Sequence, residues 1–336
     1  MSHPLLTARR LWTVLGVLAL ATLAVAVAAL GFGAVPIDLG RALTDASSTD
    51  HAILWGHRVP RVLAGLTTGA VLAASGAALQ GLLRNALADP FILGVSGGAA
   101  LGGALVGLTG LAAFVAAPVG GFVGAALALF AVTALAARRD GISPLHILLV
   151  GVVVNAFAGS MLMVLQALAG PAAVQRVLLR LMGSLAVDPT EPLALPVVVA
   201  ASALGLALVM RHARALDLLA LGDDGARTVG VDPEALRRRL FWVLSLPIGA
   251  VVAATGLIGF VGLIVPHGVR LALGPDHRLL LPASALAGSV FVLLADLAVR
   301  WLTGPLGTEL PVGVVTTAIG GPLFLWLLRR DARSSA

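Results

Sequence analysis

The sequence predicts an all-α polytopic membrane protein with about ten transmembrane helices, forming a single domain over residues 1–336. Three observations predict this class. Of the 336 residues, 59% are hydrophobic and 40 more are glycine. Only 11% are charged, against about 25% in a soluble domain. Apolar runs long enough to cross a bilayer, about 20 residues each, recur along the whole chain.

The charged residues narrow the functional class. All 22 basic residues are arginine, and the chain has neither lysine nor cysteine. A Walker A nucleotide site needs its lysine, so any ATP that drives this protein must bind to another subunit. Without cysteine, disulfides and cysteine-based metal sites are excluded. The net charge of +6 does not indicate a nucleic-acid partner, because the arginines stand at the ends of apolar runs in contact with membrane lipid.

Eight apolar runs define the predicted spans. One run of 47 residues is too long for a single helix and divides near Gly107–Gly110, which gives nine spans. The runs are Leu11–Val35, Val62–Leu83, Phe91–Ala137, Ile147–Gly170, Pro192–Met210, Leu240–Val269, Leu279–Ala295 and Pro311–Leu328.

Nine crossings conflict with the positive-inside rule, which places arginine on the cytoplasmic side. With Arg9 and Arg10 inside, nine spans would leave the C-terminal arginines outside. Dividing Leu240–Val269, which is rich in proline and glycine, into two short or partly re-entrant helices gives ten spans. Both termini are then cytoplasmic, with sixteen arginines inside and six outside. The six are Arg41, Arg58, Arg61, Arg176, Arg180 and Arg300.

The near absence of charge within the spans argues against two other classes. A stand-alone secondary transporter usually keeps acidic residues, or unwound helices lined with polar groups, near the midplane. Here Asp296 and Arg300 lie near one end and, being four apart, are predicted to pair. An intramembrane enzyme needs a nucleophile–base pair or a metal cluster. Neither can be assembled from this sequence, so no catalytic or metal-binding residue is predicted.

Glycine is abundant within the predicted spans. Gly65 and Gly69 form a GxxxG pair, and Gly256, Gly259 and Gly262 recur at every third position. Small residues let helix backbones approach closely, so these positions favour close helix packing. The alternative is that the glycine-rich helices line a translocation path with a mostly apolar wall.

The longest predicted cytoplasmic segment, residues 211–239, is also the most charged. It is predicted to form two short helices joined at Gly230, the second capped by Asp232 with Pro233 in its first turn. The first helix sets apolar residues against Asp223, Asp224 and Arg227. A solvated loop has no need of such an amphipathic pattern, so the segment is predicted to dock on a soluble partner.

Seven segments, in order and at compatible spacing, resemble one known family. It comprises the FecCD-type permease subunits of binding-protein-dependent (type II) ABC importers for ferric siderophores, haem and cobalamin. The segments are Arg58–Arg61 (RVPR), Ser75–Gln80 (SGAALQ), Asn85–Pro90 (NALADP) leading to Leu93–Gly97 (LGVSG), Leu221–Gly230 (LGDDGARTVG), Gly259–His267 (GFVGLIVPH), Gly274–Arg278 (GPDHR) and Glu309–Gly313 (ELPVG).

The resemblance implies a set of partners. These are a second permease copy, most simply in a homodimer, two cytoplasmic ATPase subunits that bind ATP and magnesium, and a periplasmic substrate-binding protein. The chain itself is then a transport subunit of the bacterial inner membrane without enzymatic activity or a cofactor of its own. The cargo is an iron chelate, either haem or a ferric siderophore, with cobalamin as the alternative.

The resemblance also implies roles for individual residues. The ATPase-coupling segment spans about residues 212–239. Its residues are Asp217, Leu221, Gly222, Asp223, Asp224, Arg227 and Gly230. The cytoplasmic gate is expected at Asn85, Leu87, Ser143 and Pro144, although this chain has Ala86 where the family usually has proline. The binding protein is expected to dock on Arg58, Arg61 and Arg300.

Overall fold

The computed structural model describes residues 7–33, 35–91, 93–107, 113–138, 141–142, 144–168, 182–187, 193–306 and 310–334. Apart from one two-residue ladder, Ala137–Arg138 against Gly141–Ile142, the regular structure in these ranges is helical. The helices are α1 (Ala8–Gly31), α2 (Leu39–Thr44), α3 (Thr49–Ile53), α4 (Val59–Leu82), α5 (Val95–Gly107), α6 (Ala113–Ala136), α7 (Pro144–Leu168), α8 (Ala194–Met210), α9 (Ala213–Leu219), α10 (Asp223–Thr228), α11 (Pro233–Thr255), α12 (Val261–Leu273), α13 (His277–Leu306) and α14 (Val312–Ser334).

Ten of these helices match the ten predicted spans in order. Seven are long and apolar enough to cross a membrane: α1, α4 together with the short α3, α6, α7, α8, α11 and α13. Helices α5, α12 and α14 contain shorter apolar stretches of 10–17 residues. The all-α polytopic class is therefore confirmed.

The predicted division of Leu240–Val269 is confirmed, but its boundaries differ. Helix α11 ends at Thr255, where Gly256 takes a φ of 74°, and α12 starts after Phe260, whose φ is 68°. Helix α11 is not short, because it begins at Pro233 and joins the predicted second cytoplasmic helix to the span without a break. Its first turns, in which Pro233, Leu236 and Arg237 are buried, extend the helix out of the span toward the coupling segment.

Helix α4 is the most enclosed of the spans and packs against α13 and α12. At its crossing with α13, a Cβ on Gly69 would overlap the carbonyl oxygen of Gly288, and a Cβ on Gly288 would overlap the carbonyl oxygen of Gly69. Only glycine allows the two backbones to approach this closely. Close packing, the first of the two interpretations of the glycines, therefore holds at this crossing.

Helix α1 lies at the edge of the bundle. Only Ala26 and Ala29 are buried, both near its end, whereas Trp12 and Leu20 are about 70% exposed. In water such an apolar surface would be unfavourable, but it matches a helix surrounded by acyl chains.

The helix crossing at Gly69 gives a test of the fold. Gly69→Leu is expected to destabilise the protein by about 3 kcal/mol or more, because the side chain has to displace a backbone of α13. Gly16→Leu is the control, since nothing lies within 4 Å of the position of its Cβ. The measurement is the apparent Tm and the monodisperse yield in detergent. Equal values for the two variants would show that α4 and α13 do not cross at this point.

Candidate functional site

The predicted coupling segment consists of two short helices that precede the start of α11. The prediction of a single helix up to Gly230 is wrong, because the chain turns at Gly222, with a φ of 95°, between α9 and α10. It turns again at Gly230, with a φ of 86°. Glycine adopts this left-handed backbone without the steric cost of a side chain, so both glycines fix the direction of α10.

Asp217 attaches α9 to the start of α13. One of its carboxylate oxygens accepts a hydrogen bond from the backbone N–H of His277 at 2.8 Å and lies 2.6 Å from Nδ1 of the same residue. These contacts join residues 60 positions apart in the sequence. They hold α9 against the membrane helices, and the coupling role of Asp217 stays a prediction.

Asp223 attaches α10 to two further helices. Its carboxylate accepts hydrogen bonds from both Nη atoms of Arg237 in α11, at 2.8 and 3.0 Å, and from Arg84 after α4 at 3.1 Å. The hydrogen bonds from Arg237 lower the pKa of Asp223, and partial burial opposes this effect. The ion pair is therefore fully formed at neutral pH and weakens only under acidic conditions, as the pH falls through the lowered pKa.

The remaining members of the predicted coupling set face outward. Leu221 is 63% exposed, and the Asp224 side chain is fully exposed. Arg227 lies 3.8 Å from Asp224 and 3.9 Å from Glu234, at distances typical of weak surface pairs. Val229, which the sequence did not single out, is also exposed. The segment thus has an inner side that holds it in place and an outer side available for contact.

The predicted start of α11 is confirmed at its cap. The Asp232 carboxylate accepts hydrogen bonds from the backbone N–H groups of Glu234 and Ala235, and Pro233 occupies the first turn. This arrangement satisfies N–H groups that have no partner within the helix.

The first predicted gate element follows α4 directly. Arg84 takes a φ of 47°, and the Asn85 side chain then accepts a hydrogen bond from the N–H of Leu87 at 2.8 Å. Ala86 and Leu87 are exposed at the tip of this turn. Because Arg84 also contacts Asp223, the predicted gate and the coupling segment are joined through one side chain.

The second predicted gate element is only partly described. Pro144 is the first residue of α7, a position that suits its missing N–H group. Ser143 lies outside the described residues. The gating roles of both elements stay predictions.

The three arginines predicted to meet the binding protein all have partners within the chain. Arg58 is 5% exposed and donates to the carbonyl oxygens of Leu30 and Gly31 at 2.7 and 2.8 Å, and also to that of Val35. Arg300 donates to the carbonyl oxygens of Ala29 and Phe32. Such carbonyls lack partners at a helix C-terminus, where positive charge is favourable.

Asp296 joins two of these arginines inside the bundle. Its side chain has no exposed surface, and its carboxylate lies 2.8 Å from Nη2 of Arg61 and 2.5 Å from Nη2 of Arg300. The predicted pairing of Asp296 with Arg300 is therefore confirmed. The docking role of Arg58, Arg61 and Arg300 stays a prediction, and it involves side chains that already hold α1, α4 and α13 together.

These contacts separate the molecule into two ends. Arg10 donates to the carbonyl oxygen of Leu273, and both lie at the end that carries the coupling segment. The buried arginines lie at the opposite end, close to the C-terminus of α1. Helices α1, α4 and α13 therefore each run from one of these ends to the other, as the count of ten spans requires of them.

A mostly apolar cavity of about 680 Å³ lies between α12, α14 and the segment after the first gate element. Its lining includes Phe91, Leu257, Phe260 and Val314, together with the buried carboxylate of Asp89. Among the described residues, no group of three or more His, Asp or Glu side chains could hold a metal ion.

Comparisons with known proteins identify the class. The model of the FecCD transport family matches residues 17–330, so the chain belongs to the FecCD transport family. It is 41% identical over 305 residues to the cobalamin import system permease protein of Halobacterium salinarum, covering 90% of this chain and 79% of that protein. It is 38% identical over 328 residues to the hemin transport system permease protein of Yersinia pestis, covering 94% and 95%.

A solved structure is similar over nearly the whole length. A metal-chelate type ABC transporter in an inward-facing conformation superimposes with a TM-score of 0.78 at 30% identity, covering 95% of this chain and 99% of that one. The family predicted from the seven segments and the permease fold are therefore confirmed. The chain is a multi-pass membrane protein and a transport component.

The Asp296 network gives a second test. Asp296→Asn is expected to lower stability by about 3–5 kcal/mol, because it leaves the largely buried charges of Arg61 and Arg300 uncompensated. Asp50→Asn is the control, because Asp50 lies 4.0 Å from the exposed Arg41. That change is expected to cost at most about 1 kcal/mol. The measurement is the apparent Tm of each variant, and equal shifts would contradict the assignment.

Proposed function

We propose that this chain is the membrane-spanning permease subunit of an ABC importer that moves an iron chelate, haem or a ferric siderophore, from the periplasm to the cytosol. One observation carries the proposal. The coupling segment presents Leu221, Asp224 and Arg227 to the outside while Asp217 and Asp223 hold it on the membrane helices. ATP hydrolysis belongs to separate subunits, since the chain has no lysine for a Walker A site.

The anchoring contacts suggest how force passes into the membrane. An ATPase that moves α10 pulls on α11 through Arg237 and on the end of α4 through Arg84. If α9 moves with it, Asp217 passes the movement to α13. Asn85 and Leu87 follow Arg84 directly in the chain. Movement of the segment therefore displaces the predicted gate as a rigid body, with little deformation of α10 itself.

The full importer in this proposal contains two copies of the chain, two ATPase subunits and a periplasmic binding protein. It resides in the bacterial inner membrane with both termini in the cytoplasm, and ATP and magnesium bind to the ATPases. The binding protein docks at the end that holds Arg58, Arg61 and Arg300. Acidic groups of the binding protein would have to compete there with Asp296 and with the carbonyl oxygens of α1.

Two cargo classes compete. The match to the hemin permease covers 95% of that protein, and the similar solved structure is of the metal-chelate type, which supports an iron chelate. The 41% identity to a cobalamin permease supports cobalamin as the alternative. The apolar cavity is compatible with both, because an apolar wall offers few hydrogen bonds that would discriminate between them.

Leu221→Asp tests the coupling surface. The substitution is expected to reduce affinity for the ATPase about tenfold or more, because a charge replaces an exposed apolar contact residue. The measurement is co-purification with the ATPase, together with the Tm of the permease, which is expected to stay unchanged. Leu43→Asp is the matched control, since Leu43 is similarly exposed in α2 at the opposite end. Unchanged co-purification of Leu221→Asp would contradict the coupling role.

The cargo is tested with the permease and its ATPase in proteoliposomes. The cognate binding protein, loaded in turn with haem, a ferric siderophore and cobalamin, is added from outside. We expect selective stimulation of ATP hydrolysis by one iron-loaded form. Stimulation by the cobalamin form alone would assign the alternative cargo. The absence of any associated ATPase, or of any response, would point instead to a stand-alone secondary transporter.

A further inference from the structure

A second cavity, of about 780 Å³, lies at the same end as the coupling segment. It is enclosed by the start of α1, the end of α4, the end of α12 and the start of α13. Four arginines contribute to its lining: Arg10, Arg84, Arg270 and Arg278. The sequence gives no sign of this cluster, because its members are spread over 269 positions.

The acidic groups of the cavity already have partners. Asp217 contacts His277, and Asp276 accepts hydrogen bonds from Arg278 at 2.6 and 3.0 Å. The hydrogen bond from Arg278 lowers the pKa of Asp276, so this carboxylate remains ionised and paired at neutral pH. Asp223 pairs with Arg84 from outside the lining. Three carboxylates against four guanidinium groups still leave the cavity with an excess of positive charge.

Arg270 is the arginine of this cavity whose guanidinium group has no acceptor or carboxylate partner among the described residues. Its side chain makes no hydrogen bond or ion pair with the residues that the structure describes, and its Nη2 is buried. A buried guanidinium donor without an acceptor costs free energy that a bound anion would recover. Nε2 of the buried His277 likewise lacks a partner within the described part of the chain.

We propose that this cavity binds a phosphate group, either the headgroup of an anionic phospholipid or a free phosphate ion. Arginine suits this ligand, because its planar donors match phosphate oxygens in pairs. The position of Arg10 favours the lipid as the source. Arg10 lies at the start of α1, two residues before the exposed Trp12, and tryptophan is enriched at the level of lipid headgroups. The proposal is independent of the cargo.

The test uses the permease–ATPase complex in detergent and native mass spectrometry to titrate phosphatidylglycerol against phosphatidylcholine, whose choline cancels the phosphate charge. Wild type is expected to prefer phosphatidylglycerol. Arg270→Gln is expected to weaken that binding about tenfold, because it removes a charge-assisted contact. Arg270→Lys keeps the charge and retains most of the binding. Arg239→Gln, an exposed arginine at the same end but outside the cavity, is the matched control and binds as wild type.

A parallel titration with inorganic phosphate, read by the apparent Tm, distinguishes the two sources. Stabilisation by phosphate that Arg270→Gln removes assigns the free ion, whereas selective phosphatidylglycerol binding without this response assigns the lipid. Equal binding of both lipids without a phosphate response would overturn the proposal. So would equal losses in Arg270→Gln and Arg239→Gln, which would indicate a non-specific basic surface.

Discussion

The constraint that shapes this protein is that hydrocarbon offers no hydrogen-bonding partner. Every polar group carried below the headgroups has to find its partner within the protein. The C-terminus of α1 shows the consequence most clearly. In a soluble protein, water would donate hydrogen bonds to its last carbonyl oxygens; here Arg58 and Arg300 donate them instead. The carboxylate of Asp296 then pairs with Arg300 and Arg61. The hydrogen bonds at the end of α1 and these ion pairs together fix the relative positions of α1, α4 and α13.

In the proposed importer, the coupling segment joins the membrane domain to the soluble ATPase subunits. Charged residues there serve two different purposes. Asp217 and Asp223 accept hydrogen bonds from other residues of the chain. Asp224 and Arg227 form only a weak surface ion pair, which contacts with a partner can replace at a small cost in free energy. Because the strong contacts lie on the inner side, a force applied to the outer surface reaches the helices before the segment itself gives way.

The sequence was enough to predict most of the fold. It was not enough to predict which residues the charged side chains contact within the chain. Ten spans followed from apolar runs, from the positive-inside bias and from the resemblance, and the cap at Asp232 followed from local chemistry. Sequence patterns did not predict that Arg237 pairs with Asp223, or that His277 holds Asp217, because such contacts depend on how distant helices meet. The sequence also did not predict that Arg58 and Arg300 donate to carbonyl oxygens at the end of α1, because backbone acceptors leave no signature in sequence.

The break between α11 and α12 determines which side of the protein meets lipid. Helix α12 rises only ~20 Å over its 13 residues, less than the ~30 Å of the hydrocarbon core. Because Leu273 lies at the coupling end, the non-helical residues from Gly256 to Phe260 stand at membrane depth. Irregular backbone is tolerated there only against protein or water. Leu257, Gly259 and Phe260 of this segment line the apolar cavity, so we expect protein or water, rather than acyl chains, to cover that face of α12.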